Sequence, residues 1–347
     1  MDGSSTPGQT TFTQGAMPPE PQAVPAQDIL VAIPVLNEVD HIEACLASLM
    51  EGNPRLKDIR FVVADGGSTD GTRALLDTLA GRFDNLEWID NPGRLQSAGV
   101  NAVAASAQGE TVLVRCDAHA LYPPGYVARI ADALRGHGVA SIVVPMDAVG
   151  DTCFQRANAW VVDTPLGSGG SAHRGGTTSK FVDHGHHAGF DLGIFRSLGG
   201  YDERFSHNED AEYDVRVSKA GGALFLDASL RLEYKPRPTA RSLARQYFNY
   251  GKGRARTLLK HKIRPRPRQV FPVLNTAALI ASLAAAPVFP LALVYPLAYA
   301  LALAGASAWL TVKHRSACAL LAGPAAGIMH IAWSAGFLKH LALGARR

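Results

Sequence analysis

Hydrophobic positions in this chain fall into three regimes. From residue 29 to 145, short apolar runs alternate with helical patterns. In order they are ILVAIP (29–34), a helix from about 38 to 50, FVVAD (61–65), a helix after Asp70 and LEWID (86–90). A helical stretch at 95–107, TVLVRCD (111–117), a helix after Pro124 and SIVVP (141–145) follow. Such alternation predicts a mostly parallel α/β sheet covered on both faces. Ligands of these sheets bind at the carboxyl ends of the strands, so chemistry is expected just after Pro34, Asp65 and Asp117. Residues 150–235 are less regular, and GSGGSAHRGG (167–176) reads as a surface connection or a lid over a cleft.

The third regime begins with a basic helical pattern at 239–262. Arg241, Arg245, Lys252, Arg254, Arg256 and Lys260 lie there among Leu243, Tyr247, Phe248, Tyr250, Leu258 and Leu259. That mixture predicts an interfacial membrane helix. RNA binding is the rival, disfavoured by an acidic main domain. Residues 270–312 then run for 43 positions without a charge. A span needs roughly 20 apolar residues, so a hairpin of two is expected, turning near 287–290. Residues 316–338 are a third candidate span. Arg264, Arg266 and Arg268 before the hairpin and Lys313 and Arg315 after it place both ends in the cytosol by the positive-inside rule. If the third segment spans, Lys339, Arg346 and Arg347 end on the far side; spanning and re-entrant readings both stay open.

Charge sharpens this division. Charged residues make up 18% of the chain, against roughly 25% in soluble proteins. All 30 acids lie at or before Glu233 with 17 bases, a net charge of −13, and the last 114 residues carry 17 bases and no acid. A uniformly basic nucleic-acid binder, a disordered chain and a simple soluble enzyme are thereby excluded. Residues 1–28 are polar, with no apolar signal region, and read as a disordered tail. The expected units are this tail, a catalytic domain at 29–238, a basic amphipathic helix and linker at 239–269, and a membrane region of two or three helices at 270–345. Cys45, Cys116, Cys153 and Cys318 show no CxxC spacing, which predicts no disulfide framework or zinc knuckle and suits a reducing cytosol.

Four motifs sit where the sheet places a site. Ile33-Pro34-Val35-Leu36-Asn37-Glu38 joins a strand end to a helix start, where a capping Asn and an early acid need no function. Asp65-Gly66-Gly67-Ser68-Thr69-Asp70-Gly71-Thr72 follows a buried strand, so its Asp can accept hydrogen bonds from a base or ribose; a tight turn is the plain alternative. It lacks a P-loop lysine and GxGxxG spacing. Cys116-Asp117-Ala118-His119 can aim two ligands at one divalent ion or form a solvated turn. Asn208-Glu209-Asp210-Ala211-Glu212 puts acids at a helix start, favourable to the dipole and equally suited to a general base. His184, His186 and His187 form a dense cluster, read as acceptor-site hydrogen bonding or plain structure ahead of a second metal site.

In this order and spacing the motifs resemble the family-2 inverting glycosyltransferases of the GT-A fold, closest to the ExoA-like subgroup of succinoglycan-type exopolysaccharide enzymes. IPVLNE (33–38), DGGSTDGT (65–72), LQSAGVNAVAASAQGE (95–110), RCDAHA (115–120), GGYDERF (199–205), NEDAEYDVR (208–216) and RQYFNYGKGRART (245–257) carry the likeness. It implies a Rossmann-like nucleotide-diphospho-sugar transferase fold with a C-terminal α-helical membrane region. Pro34, Glu38, Asp65, Asp117 and Arg94 would bind the donor, and Leu36 stands where many relatives stack a Tyr. Asp117 and His119 would hold a divalent metal, Mn²⁺ or Mg²⁺, where the family has Asp-x-Asp. A His ligand softens the site and predicts that Mn²⁺ works at least as well as Mg²⁺. Asp210 would be the catalytic base, with Glu209 its rival. Arg245, Lys252 and Arg254 are candidates for the diphosphate or lipid phosphate.

The implied activity is transfer of a hexose, glucose first, from a UDP-sugar to a polyprenyl-diphosphate-linked oligosaccharide in exopolysaccharide biosynthesis. The resemblance and the flanking charges place it on the inner membrane, with the catalytic domain facing the cytosol and no nucleic-acid partner. A polyprenyl-phosphate sugar synthase and a non-catalytic, membrane-tethered sugar-nucleotide sensor are the alternatives. A processive synthase is disfavoured, because Gln246 is followed by Tyr-Phe-Asn-Tyr instead of the xxRW of that group.

Overall fold

The computed structural model describes residues 23–50, 54–171, 174 and 176–344. Its strands are β1 (Ile29–Val35), β2 (Arg60–Asp65), β3 (Leu86–Asp90), β4 (Val112–Arg115), β5 (Ser141–Val144), β6 (Met146–Ala148), β7 (Lys180–Val182), β8 (His186–Asp191), β9 (Leu224–Leu226) and β10 (Leu232–Tyr234). The first helices are α1 (Ile42–Met50), α2 (Thr72–Ala80), α3 (Gln96–Ala105) and α4 (Tyr126–His137). After them come α5 (Cys153–Val162), α6 (Pro165–Ser168), α7 (Leu192–Ser197) and α8 (Glu209–Lys219). Last are α9 (Ala240–His261), α10 (Pro267–Ala285), α11 (Val294–His314) and α12 (Ala322–Gly344).

Eight strands form one sheet in the order β3-β2-β1-β4-β8-β5-β9-β7. β3, β2, β1 and β4 are parallel, and β1 is buried at every position but Pro34. That burial on both faces is why its sequence is an unbroken apolar run. One core lies on each face, with Ile29, Val31, Ile33 and Phe61 in one and Leu30, Ala32, Val62 and Phe190 in the other. The sheet departs from a parallel one at β8, which runs antiparallel to β4 and to β5. Its sequence, HHAGFD, has too little apolar character to stand out as a core strand. The reversal brings the start of β8, His186, to the carboxyl end of β4. Ordered structure begins before β1: Val24 is buried and its N–H donates to Asp132 Oδ1 at 2.7 Å. The rest of the polar tail, residues 1–22, lies outside the described residues, as do 172, 173 and 175 of the glycine-rich stretch.

The uncharged stretch, expected as a hairpin of two spans, folds as α10 and α11 joined through residues 286–293, with Ile280, Leu283, Leu297 and Leu301 exposed, and of the two only α11 has the length and hydropathy of a span. By length and composition, residues 290–314 and 317–343 are long and apolar enough to cross a membrane. The third segment, α12, is more than half buried, largely against α9. Gly251 of α9 faces the Trp333 carbonyl and Gly336 of α12 faces the Phe248 carbonyl, so a side chain on either would force the helices apart. Buried neighbours run in the same order along both helices, from Leu243 beside Ala326 and Met329 to Leu258 beside Phe337.

The expectation of no disulfide is corrected. Cys153 at the start of α5 and Cys318 in the turn before α12 are bonded, with Cα atoms 4.9 Å apart; Cys45 and Cys116 are free and buried. A separation of 165 residues hid the pair, which α5 brings together by packing on that turn.

Candidate active site

The carboxyl ends of β2, β1 and β4 and the start of β8 lie side by side along one rim of the sheet. At its centre lies Arg115, the last residue of β4, whose side chain is 4% exposed. Its Nη1 donates to Asp210 Oδ1 at 2.9 Å and its Nη2 to Asp117 Oδ1 at 3.4 Å. The Tyr201 hydroxyl donates to the same Asp210 oxygen at 2.5 Å, and Gln96 Nε2 to Asp117 Oδ1 at 2.6 Å. The sequence-derived donor residue Asp117 and base candidate Asp210 therefore meet on one buried guanidinium. Asp117 Oδ2 has no hydrogen-bond partner among the described residues and faces His186 Nε2 at 3.8 Å.

The two acids that open α8 differ electrically. Burial pushes both carboxyls up, but the Arg115 charge reverses this for Asp210 and holds it down to about 2. Glu209 lacks that contact; burial and the adjacent Asp210 charge raise it to about 7. At neutral pH Asp210 is fully ionised, while Glu209 is divided between its two forms. Burial also lowers the His186 imidazole, to about 4.

The first two motifs interlock beside this centre. Asn37, with φ of 58°, donates its N–H to Ser68 Oγ and accepts from Thr69 N–H. Asp65 is fully buried; its oxygens accept from the Gly67 and Ser68 N–H groups and from Arg73 Nε at 2.5 Å. Despite burial, these contacts hold its carboxyl below the usual range. Arg94 lies alongside Gly67, and Pro34 forms the half-buried floor against Gly99. Leu36 is exposed. His119 is 64% exposed, with Nδ1 3.5 Å from Glu38 Oε1.

The histidine cluster divides across β8. His187 Nε2 and His184 Nδ1 bond the two oxygens of Asp214 at 2.7 and 2.6 Å, and His187 Nδ1 also meets Ser141 Oγ. That is a buried structural network. His186 points to the other face, towards Asp117.

On α9 the cations also divide. Lys260 bonds Asp202 at 2.8 Å and pairs with Glu212, and Arg256 stacks over Phe205. Arg245 and Lys252 are exposed, with no acid partner among the described residues. Arg254 is half-buried with no hydrogen bond among the described residues, and burial pulls it down to about 10 against the opposing charge of Asp214. Arg115, Gln96 and Tyr201 were not singled out from the sequence, and His186 was read there only as one of the histidine cluster. Arg115 had a signal: a charge inside the apolar run VLVRC must be paired.

Residues 30–199 match the model of glycosyl transferase family 2. The succinoglycan biosynthesis protein ExoA of Rhizobium meliloti (strain 1021) is 43% identical over 317 residues, 90% of this chain and 94% of that protein. The chain belongs to glycosyltransferase family 2. It is a family 2 glycosyltransferase of the GT-A fold, as its motifs implied. Polyprenol monophosphomannose synthase of Mycolicibacterium smegmatis is 30% identical over 136 residues, 38% of this chain and 49% of that one. The mannosyltransferase PcManGT from Pyrobaculum calidifontis, solved with GDP-Man and Mn²⁺, shares the fold with a TM-score of 0.57 at 19% identity, covering 92% of this chain and 90% of its own.

Proposed function

We propose that this glycosyltransferase moves a hexose, glucose first, from a UDP-sugar to a polyprenyl-diphosphate-linked oligosaccharide during exopolysaccharide assembly, with inversion. The observation that carries the chemistry is the Asp117–Arg115–Asp210 array. Asp210 is held ionised at the cleft and takes the proton of the acceptor hydroxyl as it attacks the anomeric carbon. Pro34, Glu38, Asp65, Asp117 and Arg94 line the donor side, where the buried Asp65 holds the loop 65–69 in shape. Arg254, half-buried and without a hydrogen bond among the described residues, suits an anionic group of donor or acceptor, and the exposed Arg245 and Lys252 suit phosphates at the lipid surface.

Asp117 Oδ2, free of hydrogen bonds among the described residues and 3.8 Å from His186 Nε2, fits a divalent ion, for which the family likeness offers His119 as a second ligand. Such an ion would stabilise the charge that develops on the leaving diphosphate. The likeness to the succinoglycan protein supports the exopolysaccharide role. The exposed leucines of α10 and α11 support a membrane-embedded hairpin at the inner membrane, and the arginines and lysines flanking it support a cytosolic catalytic domain. α12 runs beside α9, which is bonded to the catalytic domain from Gln246 to His261, and also packs on α10 and α11, so it ties the hairpin to that domain.

Membranes carrying the protein, given a panel of labelled nucleotide sugars, test this reading through their lipid products. Label from UDP-glucose in a lipid-diphosphate oligosaccharide is expected. Label in a lipid monophosphate sugar instead would favour the synthase reading, whose support is the partial likeness to the polyprenol mannose synthase.

A further inference from the structure

The resemblance assigns the metal's nitrogen ligand to His119, yet the cleft offers a better-placed imidazole. His186 sits on a strand instead of a loop, with 15% of its side chain exposed against 64% for His119. Its ring makes no hydrogen bond among the described residues, whereas both neighbours in the cluster are engaged with Asp214. Its ring nitrogens therefore stay open to an ion or water entering beside Asp117.

The oxygens of Asp117 are also unequal. Oδ1 is taken by Gln96 and Arg115, which fixes the carboxylate plane, and Oδ2 is left facing His186 Nε2 at 3.8 Å. That gap is too long for a hydrogen bond. With metal–ligand bonds of about 2.1 Å, an oxygen and a nitrogen on one ion lie about 3.0 Å apart at a right angle and about 3.4 Å at the tetrahedral angle. The observed separation exceeds these by about 0.8 and 0.4 Å, which a small turn of the imidazole or the carboxylate closes. His119 Nδ1, by contrast, leans to Glu38.

We propose that His186, together with Asp117, coordinates the divalent cation of this active site. This rests on the reading that the enzyme uses such an ion. Asp117 enters from the end of β4 and His186 from the adjacent antiparallel β8, so the grip is built on the sheet itself. His119 then lies at the open rim.

Mn²⁺ binding by the full-length protein in detergent, with UDP present, tests this by electron paramagnetic resonance. His186→Ala should weaken Mn²⁺ binding about tenfold or more and abolish the imidazole nitrogen coupling to the bound ion. His119→Ala should keep that coupling and lose less than about threefold. His186→Gln, with thermal unfolding measured in parallel, separates ligand loss from misfolding. Wild-type affinity and unchanged nitrogen coupling in a folded His186→Ala would overturn the proposal. If the wild type itself binds no Mn²⁺ with UDP, the metal reading fails, while sugar transfer measured on the same sample is judged separately.

Discussion

The sheet domain and the C-terminal helices bury polar groups by opposite rules. In the sheet domain charge is buried in pairs and clusters. Arg115 lies between Asp117 and Asp210, and Glu212 lies among Arg216, Lys260 and His261. Between α10, α11 and α12 no ion pair occurs among the described residues. The buried contacts are neutral: Thr276 with Ser334, Tyr295 with Asn275, Tyr299 with His330. Outward, the same helices show leucines where the sheet domain shows charge. One half is built to place charge at a reaction centre, and the other to keep charge away from its surroundings.

Substitutions can break that contrast. The largest effect is expected at the reaction centre: Asp210→Asn should cut transfer by about 10²–10⁴-fold with UDP-sugar binding within a few-fold, while Glu209→Gln stays within a few-fold of the parent in transfer. Single-turnover rates with titration calorimetry check both, and equal losses in the two variants would remove Asp210 from its role.

Next is the buried array. Arg115→Met leaves two carboxylates facing each other and should cost about 3–5 kcal/mol of stability. Adding Asp210→Asn should restore part of it in chemical unfolding.

A matched pair of leucines sharpens the comparison further. Leu121 in the sheet domain and Leu301 in α11 are 68% and 63% exposed. Leu301→Arg should cost up to about 2.5–3.5 kcal/mol of membrane insertion, and Leu121→Arg should leave it unchanged, as read by carbonate extraction of membranes.

The smallest effect is a pH dependence. Glu209 ionises near 7 when folded and near 4.5 when unfolded, so its burial lowers stability as pH rises through that window. Glu209→Gln should match the parent's melting temperature at pH 5 and exceed it by a few degrees at pH 8.

How much was legible follows the same division. The parallel half of the sheet could be read directly, because strands such as β1 and β2 are buried on both faces and written as apolar runs. The positions of Asp65, Asp117 and Asp210 followed from strand ends and motif order. β8 was not legible: its core-facing Ala188 and Phe190 are interrupted by histidines and a glycine. The roles of His186 and Arg115 were hidden with it, since they depend on which strand lies beside β4. The Cys153–Cys318 bond and the docking of α12 on α9 are contacts between distant segments, and hydropathy alone cannot separate a helix buried in protein from one bathed in lipid.

The central claim is that one ionised carboxylate, Asp210, serves a single displacement at the anomeric carbon. The anomeric configuration of the new linkage, read by nuclear magnetic resonance on product made from an α-linked UDP-hexose, tests it most directly. A β-linked product is predicted; an α-linked product would contradict the account.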